Sequence, residues 1–266
     1  MPNGNEVKKQ YSNSNNLEAR IQLHKLYSTN KTGWSTWIFN QIDFQKNYQV
    51  LELGSGTGSF WLANKTKLPY MNIIITDSSE GMLNTVRKKL ESLNCNVTFN
   101  LVDSQEIPYM DNSFDIIIAN HMIYHIPDIN KAISEIYRVL KPNGKLYTTT
   151  LGKDNMTELA SLLHNFDNSI VFPSNKLIER FGLDSGSISL RKFFKNVDCK
   201  RYKDSLWILK SIPLLNYVLS LEGIGNVLDI IRDERVNDFR DYLDVLINKD
   251  GKINIKKDSG ILIAKN

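Results

Sequence analysis

The sequence predicts an α/β protein with a doubly wound, mainly parallel seven-stranded sheet and helices on both faces of that sheet. Two observations predict this class. Short runs rich in Ile and Val alternate along the chain with amphipathic segments of helical period, as expected for strands that helices cover on both faces. A glycine-rich stretch follows the first run, where a strand would turn into a helix. We also expect an N-terminal helical cap and a helical insertion before the last strand.

Two short helices are predicted ahead of the first strand. The apolar residues of "LEARIQLHKLYS" and "GWSTWIFNQI" fall at roughly helical spacing. We therefore predict that residues 1–45 form an N-terminal helical lid and that residues 46–266 form the α/β domain.

A regular alternation of strand and helix follows. Strands are predicted at residues 48–53, 72–77, 96–103, 114–120 and 144–151. Helices are predicted at residues 58–66, 79–93 and 128–140. The last of these helices should end at "KPNG", because proline and glycine stop a helix.

After Leu151 the alternation becomes less regular. We predict a helix in "NMTELASLLHNF", a short helix in "LRKFF" and a strand in "VDCKRYKDSLWIL". Two closing extended segments are predicted on either side of a turn at Asp258, Ser259 and Gly260. Residues 211–249 are amphipathic and form the predicted helical insertion.

Composition and charge exclude several classes of protein. The formal charge of +4 comes from lysines and arginines spread among acids, so a nucleic-acid partner is not indicated. No apolar run is long enough for a membrane span or a signal peptide, which predicts a cytoplasmic protein with no membrane partner. Cys95 and Cys199 are far apart, so neither a disulfide framework nor a metal site is expected; we predict two buried thiols.

The glycine-rich stretch "VLELGSGTGSFW" predicts a ligand-binding loop. Glycines at Gly54, Gly56 and Gly58 let a ligand approach main-chain amides, and the following helix adds partial positive charge. The loop is one residue tighter than the G-x-G-x-x-G pattern of dinucleotide sites, and no G-x-x-x-x-G-K-[ST] pattern occurs. A nucleoside ligand without a phosphate chain is therefore favoured.

Two acids follow the second and third predicted strands. A carboxylate at the end of the second strand suits a ribose, and Asp77 stands there. Asp103 ends the third strand, where it could accept from an adenine amino group. Each acid could instead only cap the helix that follows it. Their placement at the carboxyl ends of consecutive strands, beside the glycine loop, favours a ligand site.

Five motifs in order give the chain a family resemblance: "VLELGSGTG", "TDSSEGML", "VDSQEIP", and a fourth and fifth in "FDIIIANHMIYHIPD" and "ISEIYRVLKPNGKLYTTT". Over residues 46–152 it resembles the class I, Rossmann-like S-adenosylmethionine-dependent methyltransferases of the small-molecule type (methyltransferase domain 11-like). The resemblance implies S-adenosyl-L-methionine as cofactor, S-adenosyl-L-homocysteine as product and a small-molecule methyl acceptor. It implies no metal, and it says nothing of the oligomeric state.

The resemblance also implies a set of cofactor-binding residues. They are Tyr27, Glu52, Gly54, Ser55, Gly56, Gly58, Asp77, Ser78, Met82, Asp103, Ser104 and Asn120. By resemblance Glu52 supports the loop, and the loop lines the methionine end of the cofactor. Asp77 would hold the ribose hydroxyls, and Asp103 would meet the adenine. Arg20 or Tyr27 could reach the cofactor's carboxylate from the lid.

Methyl transfer by in-line displacement to an O, N or C atom requires mainly that the acceptor be held close, aligned and dry. A base helps if the acceptor must lose a proton, and His121 and His125 follow the fourth strand, where the methyl group should lie. The alternative is a packed loop whose histidines are hydrogen-bonded or exposed. Two other functions stay open: an RNA methyltransferase, or a catalytically inactive cofactor-binding protein.

Overall fold

The computed structural model describes residues 15–66, 72–90, 96–173, 176–222 and 224–266. These residues divide into two compact units. The sheet unit consists of the three segments Trp34–Lys153, Leu177–Tyr202 and Ser259–Asn266. The helical unit consists of the described residues up to Gly33 together with Asp154–Lys176 and Lys203–Asp258.

Seven strands form one sheet in the order β3-β2-β1-β4-β5-β7-β6. The strands are β1 (Gln49–Leu53), β2 (Asn72–Asp77), β3 (Val97–Leu101), β4 (Phe114–Asn120), β5 (Leu140–Leu151), β6 (Asn196–Ile208) and β7 (Ile253–Lys265). The pairs β3–β2, β2–β1, β1–β4 and β4–β5 are parallel, and β7 is antiparallel to β5. The predicted doubly wound, mainly parallel seven-stranded sheet is confirmed.

Helices connect these strands. They are α1 (Asn15–Tyr27), α2 (Trp34–Phe39), α3 (Ser59–Ala63), α4 (Glu80–Leu90), α5 (Ile129–Val139), α6 (Thr157–Phe166), α7 (Lys176–Phe181), α8 (Leu183–Leu190), α9 (Ser211–Leu219), α10 (Val227–Ile230) and α11 (Arg235–Asp250). Among the described residues, no helix is both long and apolar enough to cross a membrane.

Strand β1 explains why the central sheet is stable. Val50 packs in one apolar cluster, while Leu51 and Leu53 pack in another on the opposite face. All three side chains are almost completely buried. Burial on both faces is what a continuous apolar strand needs, and it leaves the strand ends as the place for polar groups.

The helical unit has an apolar core of its own. Leu23 of α1, Leu159 of α6, Leu214 of α9 and Phe239 of α11 are fully buried in it. The predicted insertion is helical, since α9, α10 and α11 occupy it. The predicted lid over residues 1–45 stays a prediction: α1 belongs to the helical unit and α2 to the sheet unit.

Three local predictions are wrong. Strand β7 runs without a turn through Gly260, where a Cβ atom would lie 2.4 Å from the backbone oxygen of Lys200. The glycine there reflects close approach of a neighbouring strand rather than a turn. The short helix predicted in "LRKFF" does not form, because helix α8 ends at Leu190, the first residue of that stretch. The fifth strand was predicted to begin at residue 144, but β5 begins at Leu140, directly after α5 ends. The helix ends ahead of the proline, as expected for the residues that precede a proline.

The cysteine prediction is wrong for one of the two residues. The thiol of Cys199 is exposed. It lies on β6, which is the strand at one end of the sheet. Cys95 lies outside the described residues.

Candidate functional site

The glycine loop connects β1 to α3 through backbone conformations that residues with a side chain rarely adopt. Gly54, Gly56 and Gly58 have φ angles of 68°, 53° and 73°, in the left-handed region that favours glycine. A Cβ atom on Gly58 would lie 2.3 Å from Cγ2 of Val86, and one on Gly54 would lie 2.9 Å from Cβ of Met122. The loop therefore needs glycine for both its conformation and its packing.

Three polar side chains converge beside this loop because of the strand register. Glu52 of β1 pairs with Ile75 of β2 and with Ile118 of β4. Asp77 and Asn120 stand two residues further along those strands, so they lie on the same face as Glu52, at the carboxyl edge. In open α/β sheets this edge is where ligands bind.

Glu52 is a buried carboxyl held by an indole. Its Oε2 accepts a hydrogen bond of 2.6 Å from Nε1 of Trp61, and Trp61 is itself fully buried in the core. Burial raises the pKa of Glu52 to about 8; the charge of Asp77 contributes to this rise, and the hydrogen bond from Trp61 opposes it. The buried environment therefore favours the neutral form of this carboxyl.

Asp77 ties the glycine loop to β2. Its Oδ2 accepts a hydrogen bond of 2.9 Å from the amide of Gly56, and its Oδ1 accepts one of 2.9 Å from the amide of Ser79. Burial raises the pKa of Asp77, and these backbone donors oppose the rise. The helix-capping alternative accounts for the bond to Ser79 but not for the bond to the loop.

Two buried polar atoms at this edge test whether a cofactor fits. Oγ of Ser55 and Nδ2 of Asn120 have no hydrogen-bond partner in the part of the chain that the structure describes. A buried polar atom without a partner costs about 1–3 kcal/mol, so such an atom calls for a partner, which a ligand could supply. A hydroxyl and an amide beside main-chain amides fit the charged end of an amino acid, which S-adenosylmethionine carries.

The predicted adenosine-binding residues lie around the next strand ends. Met82 is buried in α4 and Ser78 is exposed just before that helix. Asp103 is exposed after β3, and its Oδ1 accepts a hydrogen bond of 2.8 Å from the amide of Gln105, while Ser104 is buried. The structure thus brings these residues to the same edge as the glycine loop, because each follows a parallel strand.

Tyr27 belongs to the helical unit, whereas the other predicted cofactor-binding residues belong to the sheet unit. It ends α1 in the helical unit and is partly buried there. Burial raises the pKa of its hydroxyl, and a hydrogen bond with the backbone of Lys210 opposes the rise. Its predicted role toward the cofactor stays a prediction.

The two candidate bases follow β4 directly. His121 has a left-handed φ of 51°, and its amide donates to the backbone oxygen of Thr149 at 3.2 Å and to Oγ1 of Thr149 at 3.1 Å. Its ring centroid lies 5.3 Å from that of Trp34. His125 ends a short 3-10 helix, with its ring 4.6 Å from that of Tyr124. Both histidine rings thus pack against aromatic side chains. The role of either histidine as a base stays a prediction.

Sequence reasoning missed the partners of these residues. Trp61 is buried in the core, and its indole nitrogen donates to Glu52. The available signal was that a buried indole N–H needs an acceptor, and Glu52 is the acid on the preceding strand. Among the described residues, no group of three or more His, Cys, Asp or Glu side chains could hold a metal ion.

Residues 51–148 match the family model described as a methyltransferase domain. They span β1 to β5 and include the glycine loop, Glu52, Asp77 and Asn120. Residues 51–148 are a class I S-adenosylmethionine-dependent methyltransferase domain. The family resemblance predicted from five short motifs is confirmed.

One curated relative is similar to about half of the chain. The chain is 39% identical over 139 residues to the ubiquinone/menaquinone biosynthesis C-methyltransferase UbiE of Rickettsia typhi. That alignment covers 50% of this chain and 53% of the relative, so the chain spans about half the relative's length.

Solved structures of low identity share the fold of the methyltransferase domain and much of the chain around it. A putative methyltransferase from an antibiotic biosynthesis pathway of Anabaena variabilis has a TM-score of 0.61 and 15% identity, covering 87% of this chain and 96% of that chain. The YcgJ protein of Bacillus subtilis has a TM-score of 0.59 and 16% identity, covering 87% of this chain and 97% of that chain. These likenesses bear on the fold alone.

Proposed function

We propose that this protein transfers a methyl group from S-adenosyl-L-methionine to an O, N or C atom of a small-molecule acceptor by in-line displacement. The observation that carries the proposal is the hydrogen bond from the amide of Gly56, in the glycine loop, to Asp77. Beside it, Oγ of Ser55 and Nδ2 of Asn120 are buried without a hydrogen-bond partner among the described residues. The bound cofactor supplies a methyl group on a cationic sulfur. The residues of this chain bind, orient and exclude water, which is where most of the rate enhancement arises in such displacements.

The roles of the site residues form part of the proposal. The loop residues and Asn120 hold the amino-acid end of the cofactor. Asp77 holds the ribose, since lone pairs remain on its oxygens after the two backbone bonds are counted. Ser78, Met82, Asp103 and Ser104 surround the adenosine.

The acceptor is proposed to be a small molecule. The Rickettsia typhi relative is named as a C-methyltransferase, which supports a carbon atom as the first acceptor class to test. No observation favours RNA methylation or a catalytically inactive binding protein. The predicted cytoplasmic location stays a prediction.

Calorimetry tests the proposed cofactor. S-adenosylmethionine should bind the wild-type protein and NAD should not. Asp77→Ala should weaken binding roughly 10- to 100-fold, since a hydrogen bond to a charged group contributes about 1.5–3 kcal/mol. Asp198→Ala removes an exposed acid of β6 and should leave the affinity unchanged. Binding of NAD alone would overturn the proposal, and unchanged affinity in Asp77→Ala would refute the ribose assignment.

We propose His125 as the base that takes a proton from the acceptor, with His121 as the second candidate. His125→Ala should lower kcat by about 10²- to 10⁴-fold and remove a limb of the pH–rate profile near neutral pH. The same change at His164, on α6 of the helical unit, is the matched control. Unaltered turnover of His125→Ala across the pH series would move the assignment to His121 or to no base.

A further inference from the structure

Thr149 of β5 lies beside two residues of the candidate site at the end of β4. In the register of the sheet Thr149 pairs with Asn120, so the two side chains lie on the same face. Only 1% of the surface of Thr149 is exposed. Its hydroxyl therefore needs hydrogen-bond partners inside the protein, and it finds them in Asn120 and His121.

The hydroxyl of Thr149 accepts one of these hydrogen bonds and donates the other. The amide of His121, which can only donate, lies 3.1 Å from Oγ1 of Thr149. That contact uses a lone pair of the hydroxyl and leaves its single hydrogen free. Oδ1 of Asn120 lies 3.3 Å from the same Oγ1 and accepts that hydrogen. The two bonds thus run in one direction, from His121 through Thr149 to Asn120.

This direction sets the orientation of the Asn120 amide. The oxygen and the nitrogen of an amide have similar size, so their hydrogen-bond partners decide which way the group faces. With Oδ1 turned to Thr149, Nδ2 faces the other way, and no described residue accepts a hydrogen bond from it. Asn120 also lowers the pKa of Glu52, as expected where the donor end of an amide faces a carboxyl. A ligand group that meets Nδ2 must therefore be an acceptor.

Resting on the proposed function, we propose that Thr149 is a positioning residue, which holds the Asn120 amide with its nitrogen toward the amino-acid end of the cofactor. Thr149 itself takes no part in methyl transfer. The acceptor at that end of S-adenosylmethionine is the carboxylate. Without the Thr149 hydroxyl the amide can turn over and present its oxygen to the carboxylate, which repels it. Only the correctly oriented fraction of the protein then binds the cofactor well.

The alternative is a purely structural hydroxyl, and the preceding residue of β5 is an example. Thr148 is fully buried, and its Oγ1 donates to the backbone oxygen of Ala119 at 2.9 Å. Successive residues of a strand point to opposite faces, so this hydroxyl and the Asn120 side chain lie on different faces of the sheet. Thr148 therefore offers a matched control of the same residue type, strand and burial.

Calorimetry with S-adenosylmethionine measures the effect of the hydroxyl. Thr149→Val keeps the shape of the side chain and should weaken binding about 3- to 10-fold, as expected for one hydrogen bond between uncharged groups. Thr149→Ser keeps the hydroxyl and should restore most of the affinity. Thr148→Val should bind as tightly as the wild type. Urea denaturation of the variants shows that each is folded.

A double-mutant cycle shows whether Thr149 acts through Asn120. In an Asn120→Ala background, Thr149→Val should have no further effect on affinity, because no amide is left to orient. Equal affinities of Thr149→Val and wild type would overturn the inference, as would a loss that persists in the Asn120→Ala background. Either result leaves the proposed function intact. Failure of the wild-type protein to bind S-adenosylmethionine would overturn the proposed function itself.

A measurement on the wild-type protein decides if Thr149→Val does not fold. In the nuclear magnetic resonance spectrum of isotope-labelled protein, the side-chain NH₂ signal of Asn120 is assigned by its loss in Asn120→Ala. This signal should shift when S-adenosylmethionine binds, because its hydrogens gain a charged acceptor. Decarboxylated S-adenosylmethionine lacks that acceptor and should shift the signal far less. Equal shifts with both ligands would overturn the inference.

Discussion

At the scale of single residues, a glycine can be required for two separate reasons: a left-handed φ angle, or the lack of space for a Cβ atom. Gly58 has a left-handed φ of 73°, and a Cβ there would overlap Val86 of α4 at 2.3 Å. Gly33 has nearly the same φ, 75°, but no atom within 4 Å of its would-be Cβ. The pair separates backbone strain from overlap, because only Gly58 has both.

Gly33→Ala should therefore lower the free energy of unfolding by about 1–2 kcal/mol, the cost of a left-handed alanine. Gly58→Ala should cost roughly 1–3 kcal/mol more, since the overlap with Val86 adds to the strain. Urea denaturation of both variants measures the difference. Equal losses would show that α4 moves aside at no cost.

At the scale of elements, one arginine of α5 holds the segment that follows β3. The guanidinium of Arg138 donates to the backbone oxygens of Ile107 and Tyr109 and to the carboxylates of Asp111 and Glu135, at 2.7–2.9 Å. Glu135 in turn accepts from the amide of Ile107 at 2.9 Å. The segment that carries Asp103 and Ser104 is thereby fixed to a helix of the core.

Arg138→Met should lower the free energy of unfolding by about 2–3 kcal/mol at neutral pH, because it leaves carbonyl oxygens and the Glu135 carboxylate without their donor. Arg232→Met is the control, since Arg232 is largely exposed and its Nε lies 4.0 Å from Oδ2 of Asp233, which is exposed as well. Urea denaturation across pH measures both variants.

The pH dependence of this difference has a definite sign. Arg138 lowers the pKa of Glu135 below its ordinary 4.5. A lowered pKa stabilises the fold above the ordinary value and loses that contribution as the pH falls through the lowered one. The gap between wild type and Arg138→Met should therefore shrink in acid, and a gap independent of pH would contradict the role of Glu135.

At the scale of the whole molecule, the parallel strands place the site. Strand ends β1, β2 and β4 bring Glu52, Asp77 and Asn120 to one face of one edge, although more than 60 residues separate the first from the last. Two apolar clusters cover the two faces of this sheet, and a third forms the core of the helical unit. Each cluster contains residues from distant parts of the chain, so the site depends on long-range packing.

Much of this could be predicted from local sequence. Apolar periodicity predicted β1, β2 and β4 to within one residue, because strands buried on both faces leave little freedom in register. Asp77 and the glycines were predicted for the same reason, since they stand at fixed steps from those strands. The turn at Gly260 was wrong because the close approach of β6 is not visible in local sequence.

The sequence by itself determined the fold class, the glycine loop and the acids at the strand ends, since each follows from periods of two and 3.6 residues along one stretch of chain. Only the tertiary structure decided that Glu52 is buried against Trp61, that Asp77 bonds back to Gly56 and that Ser55 and Asn120 keep unsatisfied atoms. The reason is physical: burial and protonation depend on which elements exclude water from a group.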